Sequence, residues 1–348
     1  KRGKEGKPKI SFNAKYGVQT LAKKLDVMNA VDYINFSNEA RDASELLRYP
    51  YWPKNPEDFG PSTDHQDAIF RNAAYQDYNL SVSGGNSKST YYISGSYTDQ
   101  EGILINSGFE RLNLKVNNDN KLTDWLNIGT SILLGQTNND IVPHNVIGDA
   151  LTRSPTLSIR TEDGMHYAGP GSFESTYTGR IGNPVLIAEL NDRETINKNA
   201  IGNFYAEISF LKNFKFKTSI GIDYLLTQNS LFNPTYVEVN ADTTQQPAIL
   251  NTNADAAASN VSKLNTLMEN TLTFNKTIDK HSFNAIVGYT AQKFDTDILL
   301  ARSNGHLSNF LTTIDAGSVI GRTAQGSKHI KTYTSILGAL RYNYNRKY

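Results

Sequence analysis

The chain contains six histidines, the side chains best suited to metal binding and to proton transfer near neutral pH. They are His65, His144, His166, His281, His306 and His329. None has a partner at the spacing of a metal site or a catalytic triad, and none follows a Gly-x-Ser-x-Gly elbow. We therefore predict no catalytic residue, and we expect these histidines in loops and at strand ends.

Two short motifs resemble ligand sites without meeting their requirements. Asn117–Asn120 reads NNDN, but it lacks the spacing and the closing glutamate of an EF-hand. Gly84–Gly85 is not followed by the helix or the Lys-Ser/Thr pair of a phosphate-binding loop. Both positions are predicted turns, where Asn, Asp and Gly are expected. No metal ion and no cofactor is predicted.

Aromatic side chains in the longer connections are the candidates for contact with a ligand or with a covering partner. Rings of this kind stack on sugars or pack against another protein surface. They are Tyr51, Trp52, Tyr167, Phe173 and Tyr177. Packing between loops is the competing interpretation, and it is the favoured one.

Composition excludes several classes of protein. The net charge of +1 gives no basic footprint for nucleic-acid binding, and the absence of cysteine excludes a disulfide scaffold. Mean hydropathy is −0.48 and no apolar run reaches the length of a transmembrane helix. A membrane β-barrel is compatible with this composition, because only every second residue of each strand faces lipid.

Ten segments alternate polar and apolar residues, which is the pattern of half-buried β-strands. They are Lys9–Thr20, the two arms of the hairpin within Asn79–Ile103, Phe109–Asn117, Thr123–Gln136, Ala200–Leu211, Phe214–Leu226, Val261–Phe274, His281–Gln292 and Lys331–Tyr344. These segments exceed the usual strand of roughly five or six residues. Phe214 and Tyr224, on one face, would span about 25 Å of height, as the aromatic rims of an outer-membrane barrel do.

Short and long connections alternate along the chain. The short ones are Gly85–Lys88, Asn118–Leu122, Lys212–Asn213 and Asn275–Lys280, and the long ones are residues 21–75, 98–108, 137–199, 227–260 and 293–330. This alternation predicts an all-β, antiparallel up-and-down transmembrane β-barrel with long extracellular loops. In the first long connection, Val27, Ala30, Val31 and Ile34 predict a helix with Asp26 as its N-cap.

Charged residues occupy the polar face of the predicted strands. They are Lys15, Lys115, Glu207, Lys215, Lys217 and Asp223. Facing lipid, each would cost roughly 2–4 kcal/mol near the membrane midplane, so we predict that they face a wet lumen. Ten strands either close as a small barrel or form part of a larger one.

Four stretches of the sequence resemble one known family. NLSVSGGNSKSTYYISGSYTDQEGILINSGFERLNLKVNNDNKLTDWLNIG is similar to the early barrel of SusC/RagA-type TonB-dependent transporters of the Bacteroidetes outer membrane. KRGKEGKPKISFNAKYGVQ resembles the exit of that family's plug domain into the first strand, and KLDVMNAVDYINFSNEA resembles its first extracellular connection. ILGALRYNYNRKY resembles a mid-barrel strand.

The resemblance implies a 22-stranded plugged barrel of which this chain is one part. Residues 1–8 would end the plug domain and residues 9–348 would form the N-terminal part of the barrel, with about twelve further strands outside this sequence. The family implies import of oligosaccharides, peptides or similar large solutes across the outer membrane. Its partners would be TonB, a SusD-like surface lipoprotein and outer-membrane lipid, without nucleic acid. The alternative is a closed small barrel with a structural, adhesive or surface-enzyme role.

Overall fold

A ten-stranded antiparallel sheet dominates the computed structural model, which describes residues 3–143, 145–161, 164, 167–168, 181–190, 192–239 and 248–345. The strands are β1 (Gly6–Gln19), β2 (Ala73–Gly85), β3 (Ser89–Glu101), β4 (Gly108–Lys121), β5 (Leu126–Asp140), β6 (Asp192–Phe210), β7 (Phe214–Asn233), β8 (Tyr236–Glu238), β9 (Ala248–Asn251), β10 (Asp255–Ile278), β11 (His281–Asn304) and β12 (Thr323–Tyr344). The sheet order is β1-β2-β3-β4-β5-β6-β7-β10-β11-β12, and β8 pairs with β9 alone. The predicted up-and-down arrangement is confirmed.

Short helices occupy the long connections. They are α1 (Ala30–Ala43), α2 (His65–Ile69), α3 (Asn145–Thr152) and α4 (Pro184–Leu190), with 3₁₀ turns at Pro56–Phe59, Ile314–Ala316 and Val319–Gly321. None of the described helices is both long enough and apolar enough to cross a membrane.

The helix predicted in the first connection is confirmed as α1, but its predicted N-cap was wrong. Asn29 is the cap, and its side chain accepts a hydrogen bond from the backbone N–H of Asp32 at 2.9 Å. Asp26 does not start the helix, because the backbone beside it, at Leu25, is bonded to the side chain of Gln66. The Gln66 side chain accepts from Leu25 N–H at 3.0 Å and donates to Leu25 O at 2.8 Å.

The strands are longer than the alternation predicted, so the long connections shrink. They run over residues 20–72, 102–107, 141–191, 234–254 and 305–322. The second was predicted as residues 98–108, but β3 continues to Glu101 and β4 starts at Gly108. Missed strand ends such as DRETINKN at the start of β6 are polar on both faces apart from Ile196. Ladder hydrogen bonds continue there without an apolar face, and period-two analysis cannot detect such residues.

Strand register gives the sheet one apolar face and one polar face. Across four strands, Val82 lies opposite Ile93, Ile93 opposite Val116, and Val116 opposite Ile132. Further along the sheet, Phe216, Leu272 and Val287 form a second row on the same face. Large side chains of this apolar face are exposed on most strands, with Ile10 at 72% and Ile336 at 83%.

The buried apolar side chains lie at the end of the sheet that carries the long connections. Ile69, Val146, Ala150, Val185 and Ala188 form one cluster, built from α2, α3 and α4. A second cluster joins Phe232, Ala254 and Ala256, with Ile314 packed against it. The long connections are therefore a folded layer on one end of the sheet.

Candidate functional site

The polar face carries all six charges predicted from the sequence. On the first strands Lys15 lies opposite Asp77, and Lys115 lies opposite Ser94. Between β6 and β7 the opposed pairs are Glu207 with Lys217, Ser209 with Lys215, and Ile201 with Asp223. Strand register thus brings the six residues onto one surface of the sheet. That this surface lines a wet lumen stays a prediction.

Charges on the polar face neutralise one another near the short connections. Lys215 Nζ lies 3.0 Å from Glu207 Oε1, and Asn127 donates to the same oxygen at 3.5 Å. Lys217 Nζ lies 4.8 Å from the centroid of the Tyr205 ring, within the range of a cation–π contact. The arrangement provides hydrogen-bond donors, hydrogen-bond acceptors and balanced charge, as expected of a surface in contact with water.

A tyrosine spans three strands on this face. Tyr205 on β6 donates its hydroxyl to Asp119 Oδ1 on β4 at 2.7 Å, crossing β5. It crosses at Gly129, where an added Cβ would lie 2.1 Å from Tyr205 Cε1. Glycine is therefore required at this position for the close approach.

A groove of about 310 Å³ lies beside this tyrosine at the short-connection end. Its charged lining residues are Glu5, Lys88, Asp119, Lys121, Glu207 and Lys217. Because both signs of charge are present, the groove is suited to binding a polar group or segment that carries both positive and negative charges.

The loop layer contains a buried polar network that the sequence analysis missed. Glu238 of β8 accepts from the backbone N–H of Asn183 at 2.7 Å, and Arg153 Nη1 lies 3.9 Å from its other oxygen. Both charged side chains are fully buried. Arg153 also donates to the carbonyl oxygens of Ile181 at 2.9 Å and Ala168 at 2.6 Å. The network joins the 141–191 connection to the 234–254 connection.

Burial dominates the electrostatics of this layer. Desolvation raises the pKa of the Glu238 carboxyl, against the lowering effects of the Asn183 N–H and Arg153. His65 is also buried, and desolvation lowers its pKa from 6.5 to about 4. Its Nε2 bonds Ser154 O at 3.0 Å, which places the proton on Nε2 and leaves Nδ1 as a bare acceptor. No local pattern reveals these contacts, because their partners are 55 and 89 residues apart.

Tyr167, a predicted ligand contact, already has partners inside the loop layer. Its hydroxyl donates to Glu189 Oε2, and the Arg160 guanidinium lies 3.9 Å from its ring centroid. Arg160 also donates to Glu189 at 2.8 Å. Desolvation, followed by the Glu189 contact, raises the pKa of Tyr167 to about 12. Packing between loops therefore accounts for this ring.

Trp52 likewise packs within its own connection. Its ring makes edge-on contacts with Tyr33 at 6.0 Å and Tyr49 at 4.5 Å between centroids. Tyr51 beside it is 60% exposed. Phe173 and Tyr177 lie outside the described residues, so a ligand role for the five aromatics stays a prediction.

Three of the four described histidines lie in a long connection or at a strand end, as expected from the sequence, but His329 lies within β12, where the expectation was wrong. His281 starts β11 and bonds the Tyr342 hydroxyl at 2.7 Å, and His306 follows β11. His329 is exposed on β12, whereas His144 and His166 fall outside the described residues. Within the part of the chain that the structure describes, no group of three or more His, Asp or Glu side chains could hold a metal ion.

Comparison with known proteins gives a consistent result. No family model matches the chain. The chain is 27% identical over 362 aligned positions to TonB-dependent receptor P3 of Formosa agariphila, covering 100% of this chain and 33% of that protein. It is 29% identical over 273 positions to TonB-dependent receptor SusC of Bacteroides thetaiotaomicron, covering 70% of this chain and 26% of that protein.

A solved structure shows the same fold. The RagAB peptide transporter superposes with a TM-score of 0.78 at 19% identity, covering 99% of this chain and 42% of that chain. This chain spans about a third or less of the length of the curated relatives described above. The resemblance predicted from the sequence is confirmed.

Proposed function

We propose that this chain is part of the barrel of a SusC/RagA-type, TonB-dependent outer-membrane importer of large nutrients. The relatives named above are receptors and a transporter, and the fold is that of a transporter barrel. Residues 1–8 would be the exit from the plug domain, and the strands that follow would begin the barrel wall.

The two-faced sheet is the observation that carries this proposal. Large aliphatic and aromatic side chains stand exposed on one face of the sheet, including Phe12 at 66% and Leu340 at 75%. Water does not favour an apolar surface of this extent, whereas the hydrocarbon layer of a membrane does. The opposite face is polar and contains ion pairs, as the wall of a wet lumen requires.

The sheet edges disfavour a closed ten-stranded barrel. Among the described strands, β1 pairs only with β2, and β12 pairs only with β11. An unpaired edge is not tolerated in lipid, because its N–H and C=O groups find no water. We infer that further strands complete a larger barrel, as in the family.

The chain's role in import is to bind and guide a solute, without making or breaking covalent bonds. Polar-face groups such as Lys115 and Asp223 would keep the path hydrated. A TonB-driven movement of the plug would open it, and a SusD-like lipoprotein would cover the loop end. The substrate class stays open between oligosaccharides and peptides; peptide transport is the activity named for the RagAB structure.

Opposite faces of one strand provide the test. Ile220 lies on the apolar face of β7 and Asp223 lies on the polar face. In the full-length protein in its native outer membrane, Ile220→Lys should lower the amount of assembled barrel. A lysine facing lipid destabilises the inserted barrel by about 2–4 kcal/mol. Asp223→Lys should assemble normally. Equal tolerance of both substitutions, or a protein absent from the outer-membrane fraction, would overturn the proposal.

A further inference from the structure

The polar face of the sheet carries an aromatic pair on β11 and β12. Phe294 and Tyr333 make an edge-on contact, with 5.9 Å between the ring centroids and 89° between the ring planes. Strand register places Phe294 in one row with Asn265 and Asp223, which fixes its side chain on the polar face. Tyr333 is exposed. Rings that stand on a polar surface are suited to stack on a ligand that is partly apolar and partly polar.

Two lysines flank this aromatic pair. Lys331 lies directly opposite Phe294, and Lys263 lies opposite Thr296, the next residue on the same face of β11. Neighbouring strands are about 4.8 Å apart and same-face residues about 6.6 Å apart, so the Cα atoms of the two lysines are roughly 12 Å from each other. They lie on either side of Phe294. Because lysine side chains are long and flexible, an anionic group placed over this ring is within reach of both.

Neither Lys263 nor Lys331 forms an ion pair within the part of the chain that the structure describes. By contrast, Lys215 on the same face pairs with Glu207 at 3.0 Å. Asp223 of β7 is the carboxylate closest to Lys263 in the register, where it lies diagonally across from it. Two lysines and one aspartate leave an excess of positive charge around the aromatic pair, which favours an anionic ligand.

The acidic residues of β11 lie on the other face of the sheet. They are Asp295 and Asp297, and Asp295 is opposite Leu264 of the apolar face. Lys293 and Lys328 lie on that side as well, 3.1 Å and 3.7 Å from Asp295. The sequence of β12 contains no acidic residue. On these two strands, therefore, the carboxylates are confined to the apolar side and the polar face carries only cations.

Amide side chains and a closed backbone complete the surroundings of the aromatic pair. Asn265 lies opposite Phe294, and Gln292 lies opposite Tyr333, so hydrogen-bond donors and acceptors adjoin both rings. Both β10 and β11 are paired on each side, which leaves no backbone edge on which a peptide could add as a strand. A ligand here is held by side chains alone. Rings, amides and lysines together match a sugar ring that carries hydroxyl groups and an acid group.

We propose that the polar face of β10, β11 and β12 holds a binding site for an acidic oligosaccharide. The site consists of Lys263, Asn265, Gln292, Phe294, Lys331 and Tyr333. The rings stack on a sugar ring, the amides bond its hydroxyl groups, and the lysines bind its carboxylate or sulfate. The proposal rests on the proposed function, which makes this face the path of the solute, and it narrows that solute to a negatively charged carbohydrate.

The first test measures ligand binding by the full-length protein, purified in detergent from outer membranes. The probes are a galacturonate tetramer, a sulfated galactose tetramer, a neutral galactose tetramer and a tetraglutamate peptide. At least one acidic sugar should bind about tenfold more tightly than the neutral one, with an affinity that falls as salt is added. The better acidic sugar distinguishes carboxylate from sulfate. Preference for the peptide or the neutral tetramer would overturn the proposal, as would no binding of either acidic sugar.

The second test locates the site with paired variants. Lys263→Gln with Lys331→Gln should weaken binding of the acidic sugar about tenfold. The matched control is Lys293→Gln with Lys328→Gln, which makes the same charge change on the apolar side of the sheet and should bind as the wild type does. An equal loss in both double variants, or no loss in the first, would reject this site.

The ring contribution is separated from the charges by salt. Phe294→Ala should weaken binding of the acidic sugar at high salt as well as at low salt, because stacking is not screened by ions. A loss that disappears at high salt would contradict a stacking role for the ring. An assembled barrel in the outer membrane that binds only peptides or neutral sugars would reject this site and leave the importer intact, whereas a protein absent from that membrane would reject the importer.

Discussion

The hydroxyl of Tyr205 reaches Asp119 Oδ1 at 2.7 Å although a whole strand lies between them. The intervening strand leaves room only because residue 129 is glycine, and Lys217 lies 4.8 Å from the centroid of the same ring. One side chain thereby ties β4, β5 and β6 together on the polar face.

Gly129→Ala should displace the Tyr205 ring and break its hydrogen bond to Asp119. A new Cβ would lie 2.1 Å from the ring and 2.6 Å from Asp119 Oδ1, so the tyrosine must move. A lost hydrogen bond to a carboxylate corresponds to about 1.5–3 kcal/mol. The measurement is the temperature at which the folded barrel unfolds, read from the change to the slower-migrating unfolded band in gel electrophoresis.

Gly17→Ala is the matched control, since it lies on the same face with nothing within 4 Å of the added Cβ. Tyr205→Phe should reproduce most of the Gly129→Ala effect. If Gly129→Ala behaved like Gly17→Ala, the tyrosine bridge would not contribute to stability.

The ion pair between Glu207 and Lys215 should contribute little to stability. The Lys215 side chain is 48% exposed and the Glu207 side chain 21%, so water screens the attraction. A double-mutant cycle with Glu207→Gln and Lys215→Gln should give a coupling energy below about 1 kcal/mol that falls as salt is added. A coupling of several kcal/mol would mean that this face is dry.

Acid should loosen the contact between α2 and the third long connection through His65. The folded-state pKa of about 4 lies below the ordinary 6.5, so the neutral form is favoured in the folded loop layer. The stabilisation is present above pH 6.5 and is lost as the pH falls through about 4, to a total of about 3 kcal/mol. Hydrogen exchange of residues 145–161 between pH 7.5 and 4 measures it.

His65→Gln supplies the control for that experiment, because glutamine can still donate to Ser154 O but does not titrate. Its exchange, corrected for the intrinsic rate, should lack the loss of protection at low pH, and only the opposite trend caused by Glu238 should remain. The same pH dependence in His65→Gln as in the wild type would assign the effect to another group.

The effect of pH on the loop layer through Glu238 should be opposite to its effect through His65. Its pKa is raised by burial, so its protonated form is favoured in the folded state. The associated stabilisation is present below the ordinary pKa of 4.5 and is lost as the pH rises through the raised value. Glu238→Gln keeps an acceptor for the Asn183 N–H and carries no charge, so at pH 8 its loop layer should exchange more slowly than that of the wild type.

Arg153→Gln is the contrasting variant, since it removes the cation 3.9 Å from the Glu238 carboxylate and two donors to backbone carbonyls. Its loop layer should be less protected than the wild type at pH 8. Faster exchange in Glu238→Gln than in the wild type at pH 8 would contradict the direction of the pKa shift.

Prediction from the sequence succeeded where every second residue of a strand must be apolar because it lies on the apolar face of the sheet. Phe214, Phe216, Ile220 and Ile222 alternate with polar residues, and the structure places them on one face of β7. The prediction fell short where that constraint ends. Residues 192–195 and 227–230 pair along β6 and β7 with polar groups on both faces, so no alternation marked them as strand.

The sequence by itself determined the strand order and the two faces, because these depend on local alternation. Two short connections were predicted wrongly, at Asn118–Leu122 and Asn275–Lys280, because ladder pairing carries β4 on to Lys121 and β10 on to Ile278. Only the tertiary structure decided which loop groups meet. The pairing of Glu238 with Asn183, of His65 with Ser154 and of Asn309 with Thr235 joins residues 55 to 89 positions apart. Such contacts depend on how the long connections fold over one end of the sheet, which no local pattern of residues records. Burial at these contacts then shifts the pKa values of Glu238 and His65.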